Sequence, residues 1–216
     1  MKRHIQIMDK LILLFVIFIS FTSFCQTVQS VIEIPKLKIE IISGSTQYFK
    51  NAKNYHILFD YSNLKVGEYA NELSYIDYMK DDAEKRKKGS SDNWVNKWYK
   101  ARTDIFQPKF IELFNKFSGN KIIVDTINNN QQYILSLHTQ IIEIGFNKNF
   151  KKSPTYINVT VTIYDRNDFD KSFIISMINV IGDEVFSSSS ADLQRLEEAY
   201  AKCGKELAKY LRYEIY

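Results

Sequence analysis

An α+β two-layer sandwich, with a mainly antiparallel sheet and helices on one face, is the fold class that this chain of 216 residues predicts. Three patterns carry the expectation. Residues 156–164 alternate apolar and polar side chains, residues 92–118 and 193–211 repeat apolar residues at helical spacing, and strand-like segments follow one another through 121–181 without helices between them. The expected element order is β-β-α-α-β-β-β-β-α.

The first strand runs Val31 to Ile42, but its phase slips at Pro35: Ile32 and Ile34 share one face, then Leu37, Ile39 and Ile41 the other. A proline removes a ladder donor, so this strand belongs at an edge or carries a bulge. Tyr55 to Tyr61 is the second strand, with Ile57, Phe59 and Tyr61 on one side. Tyr69 to Lys88 then turns helical, with Tyr69, Leu73 and Ile76 on one face and a break at Gly89-Ser90-Ser91. Asp92 is the expected N-cap of the next helix, which carries Trp94, Val95, Trp98, Tyr99, Ile105 and Phe106. Pro108 kinks it or opens a new helix with Phe110, Ile111, Phe114 and Phe117, which Gly119 stops.

Lys121 to Thr126 is a short strand and Asn128-Asn129-Asn130 a turn. Gln132 to Phe146 is a long strand, with a bulge expected near Ile141-Ile142 where its apolar phase switches. In Tyr156 to Tyr164, Ile157, Val159, Val161 and Ile163 face the core, and Asn158, Thr160, Thr162 and Tyr164 face out. Asp165 to Asp168 turns the chain into Phe173 to Ile181, apolar on both faces and so expected inside the sheet. Ser187 to Ser190 caps a last helix with a stripe of Leu193, Leu196, Tyr200, Cys203, Leu207 and Leu211.

The N-terminus reads as an export signal. Lys2, Arg3 and Lys10 precede an apolar run from Leu11 to Phe24. That run is about 14 residues, short of the about 20 that a spanning helix needs. Ser23 and Cys25 place small residues where signal peptidase accepts them for a cut before Gln26. The alternative is an outer-membrane lipoprotein acylated at Cys25, which the bulky Phe24 disfavours. The expected organisation is a signal peptide at 1–25 and one α+β domain at 26–216, periplasmic or secreted, with no transmembrane span after cleavage.

Cleavage removes three basic residues and one acid, so the formal charge falls from +4 to +2. Lysines alternate with acids along the chain, which excludes the clustered basic face of a nucleic-acid binder. Cys203 is then the sole cysteine, so no internal disulfide is expected and burial must supply the stability. Only 7 Gly and 3 Pro, and no repeat, argue against linkers.

The chain lacks the spacings of common catalytic sites: no HExxH, paired CxxC, GxSxG or P-loop occurs. His56 and His138 sit alone in strands. Asp165, Asn167, Asp168 and Asp170 cluster at a turn, but Phe169 and Asp170 break EF-hand spacing, and Asp and Asn favour turns for their own hydrogen bonds. The sequon Asn158-Val159-Thr160 lies in a strand and is not expected to be modified, and Cys203 beside Gly204 reads as a small buried residue where glycine lets the last helix approach the sheet. No catalytic residue, cofactor-binding residue or metal ligand is expected, and no cofactor. The candidate partner-binding residues are Trp94, Trp98, Tyr99 and Arg102: the two tryptophans stack at i, i+4, which makes them either a packing stripe or an interface patch of the residue types that dominate binding energy.

The alternating strand from Tyr156 to Asp165 and the closing helix with Arg195, Ala199-Tyr200-Ala201, Gly204 and Leu207 complete an order, from Tyr55 to Tyr213, of strand, helices, meandering strands and closing helix. That order resembles the periplasmic domains of small bacterial envelope proteins, among them the lipoprotein activator of penicillin-binding proteins and the curli secretion lipoprotein. The resemblance implies a non-catalytic docking or assembly role toward an envelope protein or polymer, and it carries over no site residue. The competing expectation is a carrier of a small apolar ligand.

Overall fold

The computed structural model describes residues 36–148, 151–182 and 192–215. The export segment with Cys25, the start of the first strand and the Ser187 to Ser190 cap lie outside the described residues.

The edge reading of the first strand holds. β1 (Lys38–Gly44) pairs only with a later strand, and its register shifts between Ile41 and Ser43. A 3-10 turn (Thr46–Phe49), capped by the Ser45 side chain, then buries Phe49 and leads into β2 (Asn54–Asp60) and the two-residue β3 (Lys65–Val66). Helix α1 (Glu72–Arg86) starts at Asn71, whose side chain accepts from the Ser74 N–H. Its buried residues are Tyr75, Ile76 and Ala83, and Leu73, expected on the apolar face, is 67% exposed. Helix α2 (Ser91–Ala101) has Ser90 at its N-cap position, two residues before the expected Asp92, so Asp92 lies in its first turn instead of capping it.

The joint before Pro108 is a π-helical turn (Arg102–Phe106) leading directly into α3 (Gln107–Ser118). Pro108 lacks an N–H, so it fits the first turn of α3, and Gly119 ends that helix in the left-handed conformation, φ 65°.

The remaining strands are β4 (Ile123–Asp125), β5 (Tyr133–Glu143), β6 (Phe146–Lys148), β7 (Lys151–Ser153), β8 (Tyr156–Asp165) and β9 (Asp168–Ile181), before the closing helix α4 (Asp192–Ile215). The expected bulge in β5 falls between Thr139 and Ile141. The long strand expected to reach Phe146 stops at Glu143, and β6 pairs with β7 in a separate hairpin.

The main sheet has the order β1-β9-β8-β5-β2-β4, with β3 beside β5. Its β1-β9-β8-β5 part is an antiparallel meander. Strand β2 is parallel to both β4 and β5, and β3 is parallel to β5, so the sheet is mixed. The cause is connectivity: α1 to α3 carry the chain across a sheet face between β2 and the later strands, and such a crossover returns it in the same direction.

The layers are those of an α+β fold. On β8, Ile157, Val159, Val161 and Ile163 are at most 1% exposed, and the alternate residues are half-buried. The buried set packs with Phe106, Phe110 and Phe114 from the helical segment and with Leu196, Tyr200, Cys203, Leu207 and Leu211 of α4. Strand β9 lies inside the sheet between β1 and β8, as its two apolar faces require. No described helix is long and apolar enough to cross a membrane.

Candidate functional site

Helical spacing brings the four candidate residues together, Trp94, Trp98 and Tyr99 from α2 and Arg102 from the first position of the π-helical turn, and they divide into buried and exposed members. Trp94 and Trp98 stack in parallel at 5.8 Å between centroids. Trp98 is 4% exposed and belongs to the core; Trp94 is half-buried against it. Tyr99 remains 40% exposed. The first-turn carboxylate of α1 gathers the others, because Glu72 Oε1 accepts from Trp98 Nε1 at 2.6 Å and pairs with the Arg102 guanidinium. That guanidinium also lies over the Tyr61 ring at 4.3 Å and the Tyr99 ring at 5.1 Å. The Arg102 charge is thus matched inside the fold by one carboxylate and two ring faces. Glu72 and Tyr61 lie 30 and 41 positions before Arg102, with no local spacing to link them.

Beneath this clasp, Tyr200 stacks on Phe106 at 5.0 Å, and its hydroxyl meets Thr139 Oγ1 at 3.0 Å. The Tyr61 hydroxyl faces Tyr200 and Gln107 without a hydrogen bond of good geometry. Burial is the main cause that raises the Tyr61 pKa, against the lowering effect of Arg102. Burial likewise pushes Tyr200 well up, with the nearby Tyr61 adding to it.

An aromatic chain continues outward from the clasp. Tyr75 touches Trp98 at 5.1 Å and Trp94 at 5.8 Å; Tyr69 touches Tyr75 at 5.5 Å and the exposed Tyr78 at 5.4 Å. It ends at a half-enclosed cleft of about 360 Å³ bordered by Glu68 and Glu143.

The other candidate groups serve the fold. His138 Nε2 lies 2.8 Å from the Ser62 carbonyl oxygen. His56 is 8% exposed, on the sheet face away from the helices. Asp165 accepts from the Asn167 N–H at 2.9 Å and Gln132 Nε2 at 2.8 Å, and Asp168 pairs with Lys171 at 2.9 Å, so these two carboxylates hold the β8–β9 turn and tie it to the start of β5. Asn158 Oδ1 accepts from the Asn179 N–H at 2.8 Å. Burial raises the Cys203 pKa. Gly204 does not meet the sheet: a Cβ there would lie 2.3 Å from the Phe110 carbonyl oxygen, so the glycine permits a helix-to-helix approach.

The second face of the sheet carries no described helix. Ser136 and His138 of β5, Asn158, Thr160 and Thr162 of β8, and Ile174, Ser176 and Ile178 of β9 lie on it half-buried, and Tyr164 and Phe169 stack at one end at 5.5 Å.

Among known proteins, no family model matches the chain, and no curated protein does. Two solved structures resemble it in part: a PelC dodecamer from Paraburkholderia phytofirmans and a point variant of it, each 9% identical and covering 77% of this chain and 96% of that one, with TM-scores of 0.33 and 0.34. A likeness this low carries no argument about what the chain does.

Proposed function

We propose that this protein is an exported accessory protein of the cell envelope that acts by binding, with an envelope polymer as its partner and the open sheet face as its binding surface. The observation that carries the reading is the row of hydroxyl and amide side chains on that face, Ser136, Asn158, Thr160, Thr162 and Ser176, beside the Tyr164–Phe169 stack. Side chains on one strand face repeat about every 6.6 Å and strands lie about 4.8 Å apart, so these side chains form a short regular grid of hydrogen-bonding groups, flanked on the same face by Ile174 and Ile178. Such a grid suits a repeating hydroxyl-rich chain, and the basic and apolar N-terminus supports delivery to the compartment where such chains occur. The interior is filled by Phe49, Tyr55, Phe106, Phe110, Phe114, Phe173 and Tyr200, each at most 2% exposed, which favours binding at the surface over the carrier alternative.

The test is twofold. A reporter fused to residues 1–35 is expected in the periplasmic or surface fraction, and cytoplasmic retention would defeat the export reading. The folded protein is expected to co-sediment with envelope polysaccharide of its host, and Thr160→Asp is expected to abolish co-sedimentation while leaving the fold intact. Undiminished binding by the folded variant would move the site off the sheet face.

A further inference from the structure

We propose that the cleft at the outer end of the aromatic chain is a binding site for an organic ammonium group, a function separate from the sheet face. Its walls are the rings of Tyr69 and Tyr75, set 5.5 Å apart at 61°, and the apolar side chains of Val66 and Ile144; Glu68 and Glu143 stand at its border. No lysine or arginine lines it, although Lys and Arg outnumber Asp and Glu by 29 to 25 in the chain. Arg195 donates to the Ile144 carbonyl at 3.3 Å but is not a lining residue.

The chemistry follows from those groups. Ring faces carry the negative part of the aromatic quadrupole, and a cation with alkyl substituents is attracted to them while its carbon surface is desolvated against apolar walls. Glu143 accepts from the Gly145 N–H at 3.1 Å, and Glu68 forms no ion pair among the described residues. Both acids add to the raised pKa values of nearby phenols, though less than burial does: Tyr69 is raised first by desolvation, then by Tyr78 and Glu68, and Tyr156 by burial and then Glu143. The volume of about 360 Å³ falls within the about 300–1,000 Å³ typical of small-molecule sites. An inorganic cation gains nothing from the apolar walls and an anion is repelled, which leaves a substituted ammonium, free or as a lipid head group.

Tyr75 touches both tryptophans, so occupancy reads out in their fluorescence. The experiment titrates the full-length folded protein with choline and tetramethylammonium, with sodium chloride at equal ionic strength and the neutral carbon isostere of choline as controls. The expected result is a saturable change with the two ammonium compounds alone. The double variant Glu68→Gln, Glu143→Gln is expected to weaken binding at least about tenfold, and Tyr69→Ala likewise, while Tyr69→Phe binds nearly as well as the parent. Phosphatidylcholine vesicles form the second arm: co-flotation that choline competes away assigns the head group as the source, and choline binding without flotation assigns a free ammonium compound. An equal response to the neutral isostere, an unsaturable response matching sodium chloride, or unchanged affinity in the folded double variant would each overturn the proposal.

Discussion

Gly204 of α4 lies against the backbone of Phe110 in α3 so closely that a Cβ at position 204 would sit 2.3 Å from the Phe110 carbonyl oxygen. The obstacle is main chain and cannot rotate away. Gly204→Ala is therefore expected to force the two helices apart. Overpacking costs about 1–3 kcal/mol, and the gain of about 1 kcal/mol from helix propensity offsets only part of it. Thermal unfolding of the variant should show a lower midpoint; an equal or higher one would mean that the helices slide apart freely.

The two tryptophans are expected to differ in solvent access, since Trp98 is 4% exposed and Trp94 half-buried. Trp94→Phe leaves Trp98 alone, and its emission should be blue-shifted and poorly quenched by acrylamide. Trp98→Phe leaves Trp94, which should be quenched more readily. Trp98→Ala should lose about 3–5 kcal/mol, since it removes a large buried ring and the donor that Glu72 accepts.

On β8 the two faces should respond oppositely to the same charge. Val161→Asp buries a carboxylate in a core position that is 0% exposed and should abolish soluble folding, at a cost of several kcal/mol. Thr160→Asp on the open face should change stability by less than about 1 kcal/mol. Equal damage at both positions would mean that a second layer covers the sheet.

High pH should unfold the protein through Cys203, Tyr200 and Tyr61, whose pKa values burial raises. The native state holds these protons more tightly than the unfolded chain. Their stability is complete below the unfolded-state values, about 8.5 for a thiol and about 10 for a phenol, and is lost as pH rises through and beyond them. The denaturation midpoint should be level between about pH 7 and 8 and fall above about pH 9, less steeply in Cys203→Ala. A midpoint that stays constant to about pH 11 would contradict this.

Periodicity made the layers legible before any tertiary structure was known. The Ile157-Val159-Val161-Ile163 alternation and the Leu196-Tyr200-Cys203-Leu207-Leu211 stripe each name their own buried face, because the side-chain periods of strand and helix are properties of the local backbone. Local chemistry likewise marked the joint at Pro108, the stop at Gly119 and the edge position of β1. Direction in the sheet had no such signal. That β2 runs parallel to β4 and β5 follows from where three helices set the chain down, which no residue of β2 records. The candidate residues divide in the same way: i, i+4 spacing put Trp94 and Trp98 together, but Glu72, 26 residues before Trp98 in sequence, decides that Arg102 is neutralised within the fold. The cleft between Glu68 and Glu143 is 75 residues wide in sequence and exists only because β3 pairs with β5. Burial pattern is a local property of the chain, whereas the meeting of distant charges and rings is set by packing free energy summed over the whole core.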